Sequence, residues 1–120
     1  MRLQRILDEL VEAAPGATGA ILADWEGEAV VTRSMNGGDY EIKVIGAHHG
    51  VILAEAREMF RRLRLGETTL ITFTLQNFNA VTAPINHEYY LVLTLKPEAI
   101  PGRARPAIRA ALQELEREVA

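Results

Sequence analysis

The sequence predicts an α+β fold in which one antiparallel sheet is sandwiched between layers of helix. Three observations lead there. Hydrophobic periodicity changes along the chain in the order helix, two strands, helix, three strands, helix. The last strand-like run, "YYLVLTLK" (89–96), is apolar on both alternating sets, with Leu91, Leu93 and Leu95 on one and Tyr90 and Val92 on the other. A sheet apolar on both faces needs covering on both. The joins "QN" and "NHE" between the last three runs are short, as an antiparallel meander requires. At 120 residues, the chain suits a single domain, 1–120, with one substantial core.

Each element has its own signature. Leu3, Ile6, Leu7, Leu10, Val11 and Ala14 follow the three-and-four spacing of a helix with one apolar face, ended by Pro15-Gly16. "ATGAILAD" (17–24) reads as a buried strand, "WEGE" as a turn, and "EAVVTR" (28–33) as the returning strand of a hairpin. "NGGD" (36–39) is a turn cluster whose Asp39 is placed to cap the next helix. That helix runs from Tyr40 to about Arg64, with Gly66 as its stop. Strands follow at 67–75, 78–85 and 89–96. After a break at 97–102 comes a final helix marked by Ile108, Leu112, Leu115 and Val119, with Pro106 in its first turn.

Composition narrows the function classes. A hydrophobic content of 48% with 24% charged residues is an ordinary globular balance. The net charge of −3 argues against a protein whose main task is to bind nucleic-acid phosphates. Cysteine is absent, which excludes disulfides, thiol catalysis and cysteine metal sites. The first fourteen residues are amphipathic and acidic, and no membrane-inserting run is visible, so a cytoplasmic location is expected.

The long helix has two apolar stripes. At about 100° per residue, Ile42, Ile45, His49, Leu53, Ala56, Phe60 and Leu63 form the natural sheet-facing set. Val44, Ala47, Val51 and Ala54 lie roughly opposite, with Gly50 at their margin. One core does not need the second stripe. Small residues let two helix backbones approach closely, so its expected use is a second copy of the chain, with His48 at the flank near the partner.

Element order and three segments together resemble the Roadblock-type dynein light chain domain family, which includes the MglB-like regulators of Ras-like GTPases. The segments are "LDELVEAAPGATGAILADWEGEAV" (7–30), "REMFRRLRLGETTLITF" (57–73) and "YYLVLTLKPEAIPGRARPAIRAALQELE" (89–116), and the resemblance spans essentially the whole chain. It implies a Roadblock/longin-like fold: a five-stranded antiparallel sheet, the first and last helices on one face and the long helix on the other. It also implies pairing of two copies through the long helix and through the strand at 67–75. Thr68, Leu70, Thr72 and Thr74 would then join Val44, Ala47, His48, Gly50, Val51 and Ala54 in the interface. A Ras-like small GTPase is the implied partner, and neither a cofactor nor a nucleotide pocket is implied in the domain itself.

Other residues carry candidate chemistry of their own. His48 and His49 are adjacent and project about 100° apart on a helix, whereas zinc-binding helices use a spacing of four. His87 lies in a distant turn, so a metal or ligand-binding enzyme built on His48, His49 and His87 needs the fold to bring them together. The competing reading makes His49 a neutral, hydrogen-bonded core residue. "DWEGE" places Asp24, Glu26 and Glu28 at alternating positions, but its glycine is misplaced for a calcium loop and Met35 stands where the closing glutamate belongs. A hairpin turn is the better fit, with Trp25 packed on the domain's own edge or exposed as a contact. Arg57, Arg61, Arg62 and Arg64 crowd the end of the long helix, where cations suit the helix dipole. Glu55, Glu58, Arg61 and Arg62 are also the candidate partner-binding residues. Arg103, Arg105 and Arg109 stand near the start of the last helix, where the dipole does not favour them. No phosphate loop or nucleophile elbow appears. The expected function is therefore a non-catalytic homodimeric module for a small GTPase, with an adaptor lacking a GTPase partner as the alternative.

Overall fold

The computed structural model describes residues 2–35 and 38–120. Of the turn "NGGD", Asn36 and Gly37 fall outside the described residues. In chain order the elements are α1 (Arg2–Ala13), β1 (Ala17–Asp24), β2 (Ala29–Ser34), α2 (Tyr40–Arg62), β3 (Ile71–Thr74), β4 (Asn79–Pro84), β5 (Tyr89–Leu95), a short 3-10 turn (Pro101–Ala104) and α3 (Arg105–Val119). The strands form one sheet in the order β2-β1-β5-β4-β3, every pairing antiparallel. β5 is central and β2 and β3 are the edges.

The alternation read from β5 divides the core in two. Leu91, Leu93 and Leu95 join Ala20, Leu22 and Val81 against Ile6, Leu7, Leu10 and Val11 of α1 and Ile108, Ala111 and Leu115 of α3. On the opposite face Ile21, Ala23, Tyr90 and Val92 meet Ile42 and Leu53 of α2. Each large side chain buried in this way contributes about 1.5–3 kcal/mol of transfer free energy. The helices take the two faces that the resemblance implies, and the fold is a sheet covered on both sides.

Two boundaries differ from the sequence expectation. The strand expected over 67–75 is confined to Ile71–Thr74. The register that pairs Ile71 with Thr82 would bring Thr69 opposite Pro84, which has no amide N–H to offer. Glu67 is held instead by Arg61, through hydrogen bonds of 2.8 and 2.6 Å. Thr68 and Leu70 therefore lie before the strand, and Leu70 packs towards the α1/α3 core.

The long helix also stops earlier than Gly66. Leu63 is its C-cap, and the left-handed residue after it is Arg64, at φ 58°. The amides of Arg64 and Leu65 return to the carbonyls of Arg61 and Phe60, each at 3.0 Å, which closes a Schellman turn. Glycine commonly occupies that position, because a Cβ in the left-handed region costs about 1–2 kcal/mol. Arg64→Gly is expected to raise stability by about 0.5–1 kcal/mol, or about 3 °C in Tm, after allowing for glycine's greater unfolded-state entropy. Thermal melts of the two proteins measure this, and a lower Tm for the glycine variant would contradict the cap geometry.

Candidate functional site

The site is the outward face of α2 together with the neighbouring β3 edge, and its position is set by how α2 sits on the sheet. Tyr90 rises from β5, fully buried, and its hydroxyl donates to the Gly46 carbonyl at 2.9 Å. Burial, and after it the Asp24 carboxylate, holds the phenol above its ordinary pKa, so it remains a donor. A Cβ on Gly50 would overlap the Tyr90 hydroxyl and ring, and one on Gly46 would stand 2.8 Å from Ile21 Cγ2. Both glycines are buried on the sheet side. Gly50, expected at the margin of the outer stripe, is thus a sheet contact rather than an outward one.

His49 belongs to the same packed layer. It is 6% exposed, its Nδ1 shares a hydrogen bond of 3.1 Å with Thr82 Oγ1, and its ring meets Phe73 edge-on at 4.5 Å. Burial first, then the neighbouring His48, pushes its pKa below the ordinary histidine value. A neutral, hydrogen-bonded core histidine is what the sequence suggested. His48 is exposed on the far side, with Nδ1 donating to the Val44 carbonyl at 3.0 Å. His87 is exposed in the β4–β5 turn beside Glu88, at 3.5 Å. The three imidazoles do not converge, and among the described residues no three His, Asp or Glu side chains are grouped to hold a metal.

The outward face carries apolar side chains in the open. Val44 is 37% exposed, Val51 58%, Ile52 43% and Met59 49%. Ala54 and Glu55 lie among them, both exposed, while Ala47 is half-buried beside the hairpin glycine Gly27. Leu63, expected towards the sheet, is 60% exposed, and Leu65 just beyond is 70% exposed. Ile52, Met59, Leu63 and Leu65 are residues that sequence reasoning did not place on this face. The error was one of phase. Glycines count for nothing in a hydrophobic stripe, yet Gly46 and Gly50 are where the sheet comes closest, and this rotates the buried arc away from Leu63. At the β3 edge, Thr72 and Thr74 are exposed and Ile71 and Phe73 half-buried.

Of the candidate partner-binding charges, Glu58, Arg61 and Arg62 are paired within the chain. Arg61 grips Glu67, and the hydrogen bond between them raises the guanidinium pKa and lowers the carboxyl pKa. Arg62 reaches Glu58 one turn back at 3.3 Å. Arg57 lies 4.5 Å over the Trp25 ring and 4.0 Å from Glu67, and its Nε is buried without a hydrogen-bond partner. Trp25 donates from Nε1 to the Asn86 carbonyl at 3.0 Å and stacks at a tilt on Tyr90, 5.0 Å between centroids. It packs on its own domain edge. The "DWEGE" carboxylate of Asp24 accepts from the amides of Glu26 and Glu28, both at 3.0 Å, so it fixes the hairpin turn. At the other end of α2, an open cleft of about 500 Å³ is lined by Thr18, Ile42, Phe78 and Thr94, with Tyr40, Glu41 and Lys96 as its ionisable groups.

No protein-family model matches the chain, and no curated protein matches it. Solved structures do. MglB from Myxococcus xanthus superposes with a TM-score of 0.87 at 14% identity, over 99% of this chain and 95% of that one. A Roadblock/LC7 domain from Streptomyces avermitilis gives 0.86 at 13% identity, over 97% and 96%. An MglB described as having a tetrameric arrangement gives 0.84 at 16% identity, over 97% and 86%. At these identities the likeness is one of fold, and the chain has the Roadblock fold.

Two predictions follow from the packing beneath α2. Gly50→Ala gains about 1 kcal/mol of helix propensity but forces Tyr90 aside, costing about 1–3 kcal/mol in overpacking and about 1 kcal/mol in the lost hydroxyl bond. A net loss of about 1–3 kcal/mol is expected by chemical denaturation, and an unchanged midpoint would remove Tyr90 as the spacer. For His49, the folded pKa lies below the unfolded one. The unfolded chain therefore binds the extra proton, and stability is full above about pH 6.5 and falls as pH drops towards the lowered folded pKa. His49→Gln should flatten that acid slope, whose ceiling for one proton is about 1.4 kcal/mol per pH unit. Denaturation midpoints between pH 7.5 and 5 measure it, and equal slopes would discount His49 as the source.

Proposed function

We propose that the chain is a non-catalytic, homodimeric Roadblock-type module of the cytoplasm that binds and regulates a Ras-like small GTPase. The observation that carries the reading is the outward face of α2. Val44, Val51, Ile52 and Met59 stand exposed along one side of a helix whose other side is already buried. Exposed apolar residues repeating along one helix face are a surface made for contact, and β3 is an edge strand of the sheet. The tetrameric arrangement described for one MglB supports self-association on this fold.

Ionisable groups with displaced pKa values are each explained by packing or by an ion pair. His49 and Tyr90 are buried beneath α2, and Arg57, Arg61 and Glu67 form one surface cluster. All of them serve the packing of α2 and the end of that helix, which favours a binding module over an enzyme. Among the described residues no helix is long and apolar enough to cross a membrane.

The test has two stages. Sedimentation of the wild type should give a dimer, and Val51→Glu with Ile52→Glu should give a folded monomer, because two charges cannot be buried unpaired in a helix seam. A wild type that remains monomeric at high micromolar concentration would sink the dimer. Small GTPases from the same genome, loaded with GDP or a GTP analogue, are then tested for capture and for stimulated hydrolysis. Preference for one nucleotide state supports regulation, and equal or absent capture removes the GTPase reading.

A further inference from the structure

We propose a second docking surface, on the opposite side of the sheet from α2, that takes an acidic protein segment carrying one aliphatic side chain. The site is a groove between the residues preceding β3 and the first two turns of α3. Its walls are Thr69, Leu70, Ile108 and Leu112, its rim is Arg105 and Arg109, and its volume is about 210 Å³. Small-molecule sites begin at about 300 Å³, so this groove has room for a side chain rather than for a drug-sized ligand.

Electrostatics single the groove out. Arg105 and Arg109 are one turn apart at the start of α3, and Arg103 precedes them in the 3-10 turn. All three are exposed, and among the described residues none makes an ion pair or a side-chain hydrogen bond. The positive end of the helix dipole makes each cation in that first turn unfavourable. The far half of α3 is reversed in the same sense, with Glu114, Glu116 and Glu118 near the negative end. There the chain supplies its own compensation, since Arg2 reaches Glu118 at 2.6 Å and Arg5 reaches Glu114 at 3.9 Å. No such partner serves the arginines. They are cations placed against their own helix around an apolar socket, and carboxylates flanking an aliphatic side chain complement both features.

A nucleic acid fits less well. Three arginines neutralise few phosphates, the chain is net −3, and an apolar socket does nothing for a phosphate backbone. The groove lies on the α1/α3 side, away from the outward face of α2 and the GTPase reading; it shares Leu70 with the expected strand pairing, so the dimer is followed in the test.

The test uses fluorescence anisotropy with a labelled peptide bearing one leucine flanked by glutamates. Its controls are the same peptide with glutamines and a single-stranded oligonucleotide of equal charge. The glutamate peptide is expected to bind about ten-fold tighter than either control, and Arg105→Glu with Arg109→Glu to weaken it about ten-fold. Arg64→Glu with Arg117→Glu changes the net charge equally elsewhere and should leave affinity within about two-fold. Acidic residues suit the start of a helix, so the Arg105/Arg109 variant should melt no lower than wild type, separating lost binding from lost folding. Should it melt lower, the glutamine pair at the same positions must still weaken binding. The proposal is overturned by an absence of binding, by equal binding of the controls, by equal weakening in the Arg64/Arg117 variant, or by dissociation of a wild-type dimer on Arg105/Arg109 reversal.

Discussion

The half of the molecule that bears the candidate site depends on one contact: the upright Tyr90 side chain, received by α2 at Gly46 and Gly50. An aromatic ring rising from the central strand would normally hold a helix away from the sheet. Here the missing side chain of Gly50 makes room for the ring, that of Gly46 makes room for Ile21 beside it, and the Gly46 carbonyl accepts the hydroxyl. Helix propensity is sacrificed, by about 1 kcal/mol for each glycine. Burial of a full tyrosine and a satisfied hydrogen bond offset it. Around that ring the rest falls into place, with Trp25 leaning on its edge, Arg57 over Trp25, and His49 one turn along against Phe73.

Once the rotation of α2 is fixed by Tyr90, its opposite face is fixed too. That is why Val44, Val51, Ile52 and Met59 project together, exposed on the single chain. The paired charges at the end of the helix extend the same logic. Arg57 and Arg61 both engage Glu67, drawing the segment after the helix back along α2 and leaving β3 as a short strand. The basic cluster is therefore structural in its arginines at 57 and 61.

Sequence alone was enough wherever side chains carry the pattern. The alternation of Leu91, Leu93 and Leu95 with Tyr90 and Val92 predicted a two-sided core, and both halves lie where that alternation puts them. The buried, neutral His49 was legible from its place in an apolar stripe. Failures came where the deciding feature has no side chain or lies far away in sequence. Gly50 gives no hydrophobic signal, so the stripe drawn from side chains includes Leu63, which is exposed, and leaves Ile52 and Met59 unassigned. The shortened β3 turns on Pro84, visible only once Ile71 is known to pair with Thr82. Arg64 in a left-handed cap gave no sign at all, because Gly66 offered the more familiar stop two residues later.

The two edges of the sheet complete the physical case for how copies of this chain would meet. β2 is guarded. Gln4 donates from Nε2 to the Thr32 carbonyl at 2.9 Å, Arg33 is tied to Asp8 at 3.2 Å, and the β1–β2 register slips at Leu22/Ala23. A bulge and an occupied carbonyl make a poor template for another strand. Among the described residues β3 carries no comparable cover, and its exposed threonines tolerate water and could hydrogen-bond across a strand pair. A sheet with one open edge joins another only once, edge to like edge, about a two-fold axis. The assembly then ends at both sides in guarded β2 strands. Asymmetric edge protection thus favours a closed pair and disfavours an open fibre.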